Sequence, residues 1–217
     1  AALEALAQVA PPGDARAIDR LGACLEHADA PVRRSALEGL RKIGLGHEQA
    51  VAACCSRLEH QDREVRLFAA QALPQVADDG GETALPGVVL RLKHRSAGVR
   101  SAALVALRQL GIRNDRRIAR EIAGLMADPE AEVRQEALEA CEHLVEKGNP
   151  EVVASLASLL AHRDTDTRAH AVRALECAAC QGDDEAIGIV ARYLRHRRGP
   201  ARAAASRALA ALLGPGD

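Results

Sequence analysis

The sequence predicts an all-α chain: a right-handed α-solenoid built from helix-turn-helix units of 33–34 residues. Three observations carry this reading. A two-residue phrase recurs as Val32-Arg33, Val65-Arg66, Val99-Arg100 and Val133-Arg134, then loosens to Thr167-Arg168 and Ala201-Arg202, so the arginines step by 33 once and by 34 four times. Each phrase opens a stretch with helical apolar periodicity, and a second such stretch precedes it. The composition agrees, at 48% hydrophobic but 1% aromatic, with one Tyr, one Phe and no Trp in 217 residues. Such a chain packs through many close Ala and Leu contacts and has no ring-centred core.

The second helix of each unit follows from a template counted from the arginine. The third residue on is Ala36, Ala69, Ala103, Ala137, Ala171 or Ala205. The sixth is small (Gly39, Ala72, Ala106, Ala140, Ala174, Ala208), and the seventh is Leu40, Leu73, Leu107, Cys141, Leu175 or Leu209. These positions share one helical face, where small side chains let neighbouring axes approach. The first helix places apolar residues twelve before the arginine (Leu21, Cys54, Val88, Ile122, Leu156, Val190) and eight before it (Leu25, Leu58, Leu92, Met126, Leu160, Leu194). Glycines at 13, 44, 46, 80, 81, 111, 148 and 182 punctuate the units, and Asn149-Pro150 reads as an N-cap followed by a first helical residue. Ala2, Ala5, Leu6 and Val9 fit the second-helix template. The expected organisation is a truncated unit over 1–13, then units over 14–46, 47–80, 81–114, 115–148, 149–182 and 183–217.

With its Val-Arg-x-x-Ala phrase and the Ala84-Leu85-Pro86 opening of one first helix, this pattern resembles HEAT repeats, in particular the short HEAT-like repeats of the phycobilin-lyase type, over essentially the whole chain. Tetratricopeptide repeats share the period but expect Trp, Tyr and Phe at set places; ankyrin repeats expect Thr-Pro-Leu-His; armadillo units carry a third helix. The resemblance implies a non-catalytic scaffold that binds another protein through the concave face lined by the second helices. It leaves open a peripheral, stabilising subunit of a larger assembly, or a bilin-lyase-like protein holding a tetrapyrrole or its acceptor.

Where such repeats have Asp six residues before the arginine, this chain has His27, His60, His94, His162 and His196, with Asp128 in the fourth unit. Equivalent atoms of successive repeats lie about 8 to 10 Å apart, too far for shared zinc ligands at about 2 Å. These imidazoles are therefore expected to end the first helices by bonding their last carbonyls. Asp29, Asp62, Glu130 and Asp164, four before the arginine, are placed to cap the second helices. Cys24, Cys54, Cys55, Cys141, Cys177 and Cys180 follow no disulfide framework and read as reduced thiols, which favours a reducing intracellular compartment. Cys177 and Cys180 form a C-x-x-C with no strand before it and no second pair.

No Gly-rich phosphate loop, nucleophile elbow or paired-carboxylate motif is present. A single His-Glu pair, His47-Glu48, departs from the several that hold iron in deoxyhypusine hydroxylase, and the aromatic residues and basic cleft of HEAT-like DNA glycosylases are not evident. No cofactor is expected. With 29 Lys and Arg against 30 Asp and Glu, the charge of −1 draws the chain neither to nucleic acid nor to an anionic membrane, and no stretch of about 18 apolar residues reads as a span. The opening Ala1-Ala2-Leu3 suggests a fragment of a longer array.

The expected partner contacts are second-helix residues one, five and eight past the arginine. Leu67 and Val105 are apolar where water is expected, Phe68 borders the same stripe, and Arg108 continues it, so these four form one candidate patch. Phe68 reads equally well as filler between repeats. Pro74 should bend its helix or end it early. Arg195, Arg197 and Arg198 sit in an arginine-rich last unit, a second candidate surface for an acidic protein or phosphate, with a solvated cap as the other reading.

Overall fold

The computed structural model describes residues 2–214, which contain thirteen α-helices and no strand. A leading helix, α1 (Ala2–Val9), precedes six pairs: α2 (Ala15–Cys24) and α3 (Ala30–Ile43), α4 (Glu48–Arg57) and α5 (Arg63–Val76), α6 (Leu85–Arg91) and α7 (Ala97–Leu110), α8 (Arg116–Leu125) and α9 (Ala131–Leu144), α10 (Pro150–Ser158) and α11 (Thr165–Ala178), α12 (Asp184–Ala191) and α13 (Gly199–Leu213). Short 3-10 turns, Leu159–Ala161 and Arg192–Arg195, extend α10 and α12. The chain divides into two compact units, Ala1–Ile112 and Arg113–Asp217.

Each unit is a two-layer stack of helix pairs. In the first, α1, α3, α5 and α7 pack in sequence as one layer, and α2, α4 and α6 form the other. In the second, α9, α11 and α13 stack as one layer over α8, α10 and α12. The template explains both layers. All six alanines three past the arginine are fully buried, as are the first-helix residues twelve before it. Fully burying a Leu or Ile side chain contributes about 1.5 to 3 kcal/mol, and that contribution recurs at every repeat, so stability follows a nearest-neighbour sum. Leu194 departs from the template at 42% exposure.

Loops fasten one pair to the next through a recurring backbone bond. The N–H groups of Gly13, Gly46, Asn114, Gly148 and Gly182 donate to the carbonyls of Ile43, Val76, Leu144, Ala178 and Leu212, each ten past the next arginine, at 2.6 to 3.2 Å. These are C-terminal carbonyls of second helices, which have no partner within their own helix. The loop residue turns left-handed to reach them: Gly148 has φ 80°, and Asn114 adopts φ 62°, a conformation that Asn tolerates better than most side chains.

N-caps are supplied as expected at some helices and not at others. Asn149 accepts from the N–H groups of Glu151 and Val152 ahead of Pro150, and Asp62 and Asp164 accept from Glu64 and Thr167. Asp29 and Glu130 stand at N-cap positions without a side-chain bond. Pro74 does not shorten its helix: α5 runs 14 residues, as α3 and α7 do. Pro74 lies so near the C-terminus that only one internal bond, to the Ala70 carbonyl, is lost.

Candidate functional site

The recurring arginine is a clamp. In every pair its Nη1 reaches back across the turn and donates to two adjacent carbonyls: Arg33 to His27 and Ala28, Arg66 to His60 and Gln61, Arg100 to His94 and Arg95, Arg134 to Asp128 and Pro129, Arg168 to His162 and Arg163, Arg202 to His196 and Arg197, at 2.8 to 3.2 Å. These carbonyls belong to the interhelical turn, past the last residue of each first helix, and charge-assisted bonds to them justify a buried guanidinium there. Arg33, Arg134 and Arg168 are each at most 9% exposed. Some clamps also reach the following pair, as when Arg66 Nε donates to the Gly98 carbonyl at 3.1 Å.

The histidines do something other than expected. Their Nδ1 atoms do not bond the last carbonyls of the first helices. Nδ1 of His27, His60, His94, His162 and His196 accepts instead from the backbone N–H two residues on, that of Asp29, Asp62, Ser96, Asp164 and Arg198, at 3.0 to 3.2 Å. Asp128 Oδ1 accepts from Glu130 in the same way at 3.0 Å. Nδ1 and Oδ1 are both bonded to Cγ, so histidine reproduces an Asx-turn acceptor. Residue type alone did not reveal this, because a histidine beside free carbonyls and free N–H groups can serve either.

The second-helix face of the first unit carries an open groove of about 690 Å³ between α1, α3 and α5. Its floor is small and apolar (Ala7, Gly39, Pro74), and Arg41, Lys42 and the exposed Leu45 stand along it. Gly39 is what lets α3 sit low, for a Cβ there would meet the Leu21 methyls at 2.8 and 2.9 Å. The groove draws on three helices distant in sequence, so its only local signals were the glycine at a position otherwise held by alanine and an apolar Leu45 after Gly44.

The candidate patch is partly corrected. Leu67 and Phe68 are half-buried on α5, and Arg108 is half-buried on α7. Phe68 lies beneath the Arg33 guanidinium of the preceding pair, Cζ 5.7 Å from the ring centroid, a cation–π contact between neighbouring repeats. Val105 is buried at 8%, so it offers no surface to a partner. The cause is that α7 is enclosed on almost every side, with every residue from Ser101 to Leu107 buried. Arg195, Arg197 and Arg198 are exposed at the turn entering α13. Between residues 186 and 214 the chain has six arginines and no acid.

Nothing in the thiols builds a redox or metal site. All six cysteines are free. Burial pushes the Cys54 and Cys141 thiols up to about 12, so both stay neutral and unreactive, while Cys180 is exposed. Among the described residues, no group of three or more His, Cys, Asp or Glu is placed to hold a metal ion, and no helix is long and apolar enough to cross a membrane.

Residues 118–210 match the family model for HEAT repeats. No curated protein matches the chain. Among solved structures, Cex1p aligns with a TM-score of 0.56 at 16% identity, over 92% of this chain and 42% of that one. A designed armadillo repeat protein in complex with the peptide (KR)4 aligns at 0.48 and 21% identity, over 90% of this chain and 99% of that one. An engineered protein aligns at 0.45 and 22%, over 90% and 98%. The family match is to HEAT repeats in general and carries nothing on the phycobilin-lyase type. The protein is an α-solenoid of helical repeats, similar to HEAT repeats over residues 118–210.

Proposed function

We propose that this protein is a non-catalytic scaffold that binds a partner polypeptide on the second-helix face of its first unit. The groove between α1, α3 and α5 carries the reading: about 690 Å³, open, apolar along its floor, with charged side chains on its rims. That combination suits an extended segment whose small apolar side chains rest on Ala7, Gly39 and Pro74 while its polar groups meet Arg41, Lys42 and Gln75. Leu67, Phe68 and Arg108 continue the same layer of helices and would extend the contact. Crosslinking mass spectrometry on the native full-length protein would name the partner and the contacting face together. The reading predicts crosslinks from Lys42 and partner binding lost in Leu45→Glu with melting unchanged; crosslinks confined to the first-helix layer would overturn it.

A second contact surface is supported by the arginine cluster around Arg195, Arg197 and Arg198. It fits an acidic protein segment, and binding there should weaken with salt and on reversal of the three charges. A peripheral subunit of a larger assembly would use these same two surfaces and would co-purify with that assembly. Visible absorbance on incubation with a bilin would favour the chromophore-binding alternative instead.

A further inference from the structure

A groove of about 280 Å³ opens where the turn of the fifth pair meets the start of α13. Ala161, His162, Arg163 and Arg168 line it from the fifth pair, and Arg198, Pro200 and Ala201 from the sixth. Three of these residues are arginines and none is an acid. Arg168 is buried, with its guanidinium committed to the carbonyls of His162, Arg163 and Asp164 and to the Thr165 hydroxyl. It acts on the groove through its charge. Arg163 and Arg198 are exposed, and neither pairs with a carboxylate among the described residues. Arg198 Nη1 donates to the Ala161 carbonyl at 3.4 Å, a long bond that holds the guanidinium across the groove and leaves Nε and Nη2 for a ligand.

The preceding junction shows what this one lacks. Between the fourth and fifth pairs the clamp arginine, Arg134, faces Asp166, two residues before the next arginine, with Nη2 3.9 Å from Oδ2. Pro200 holds that position in the sixth pair. Four before the arginine, where Asp29, Asp62, Glu130 and Asp164 bring negative charge, the sixth pair has Arg198. The acids of the fifth pair do not compensate: Asp166 is turned to Arg134, and Asp164 accepts from the Thr167 N–H and hydroxyl. Like charges gathered around a concave surface attract an oppositely charged ligand. A carboxylate would offset one of the three, whereas a phosphate monoester carries about −1.5 to −2 near neutral pH. Its oxygens also match the planar fork of a guanidinium, which binds them in pairs. Arg195 and Arg197 stand exposed on the same turn, placed for acidic residues beside the phosphate.

We infer that Arg163 and Arg198, backed by the charge of Arg168, form a phosphate-binding site for a phosphorylated segment of a partner protein. The inference rests on reading the last pair as a contact surface for an acidic segment, and narrows that reading to one groove and one charged group.

The test is fluorescence anisotropy on the full chain with two labelled peptides, one carrying a single phosphoserine among acidic residues and the other with Glu in its place. The phosphopeptide should bind about tenfold more tightly, as one additional charge-assisted bond would give. Arg163→Gln combined with Arg198→Gln should abolish that preference. Arg195→Gln combined with Arg197→Gln should weaken both peptides alike and keep it. All four side chains are exposed, so melting temperatures should not change, and the peptide comparison on the natural chain stands whatever the variants do. Equal binding of the two peptides would overturn the inference and leave the broader acidic-segment reading in place; no binding of either would overturn both. A preference that survives Arg163→Gln with Arg198→Gln would overturn it too. So would inorganic phosphate that competes as well as the unlabelled phosphopeptide, since the groove would then belong to the free ion.

Discussion

The two units place different chemistry at the same register. In the first, the residue seven before one arginine pairs with the residue nine before the next: Glu26 with Arg57 at 3.3 Å and Glu59 with Arg91 at 2.9 Å, the guanidinium side chains only 20% and 13% exposed. In the second unit the corresponding residues are Ala127 and Ala161 against Leu159 and Tyr193, all half-buried. At this register one unit has half-buried ion pairs and the other apolar residues, on a common framework of buried alanines; the first-helix layer of the second unit carries an exposed pair instead, Arg120 Nη2 to Glu151 at 3.0 Å. The stretch matching the HEAT family lies within the second unit. The difference shows that the template fixes where helices approach and leaves the chemistry of the seam free to vary.

The comparison can be broken first at the shared core. Leu58→Ala in the first unit and Leu160→Ala in the second remove fully buried side chains at one template position. Each should cost about 2 to 5 kcal/mol, measured by denaturant unfolding; a large loss in one unit alone would mean that the core is not common to both. Next come the clamps. Arg33→Met should cost about 1 to 3 kcal/mol by removing a buried guanidinium and its part-buried bonds to the His27 and Ala28 carbonyls. Arg202→Met should cost less, because its carbonyls border water in an exposed turn.

The seams themselves come third. Arg91→Leu should cost about 1 kcal/mol, the upper end for a partly exposed pair. Adding Glu59→Ala imports the second unit's chemistry and should recover most of that loss, since apolar replacement of an ion pair is often neutral. The smallest effect concerns acid. Asp164 accepts from the Thr167 N–H and hydroxyl, and these bonds hold its carboxyl below the usual carboxylate range. A depressed folded value means the contribution is present above the unfolded value, near pH 4, and is lost as pH falls through the folded one. Asp164→Asn should therefore flatten melting temperature against pH only below about pH 4, and only slightly, because the group is at the surface.

The repeat register was legible in the sequence because close approach of helices demands small residues at fixed places. Ala36, Ala69 and their counterparts record that demand directly. What was not legible depended on neighbours. Val105 stands at a position that is exposed on α3, where Glu38 occupies it, yet α7 is enclosed and the valine is buried. Phe68 fitted the surface stripe and the repeat junction equally until the Arg33 guanidinium was found above its ring. The histidine series was plain as a pattern, but its role turned on which backbone group each ring faces, and that is set by the course of the turn.

The central claim, one framework with two kinds of seam, is tested most directly by hydrogen exchange on the intact protein in low and high salt. Raising ionic strength from about 50 mM to about 1 M shortens the screening length to about 3 Å, which weakens half-exposed ion pairs and leaves apolar contacts in place. Protection in α4 and α6 should fall by more than that in α10 and α12, where the exposed Arg120–Glu151 pair contributes little. Equal responses in the two units would contradict the account.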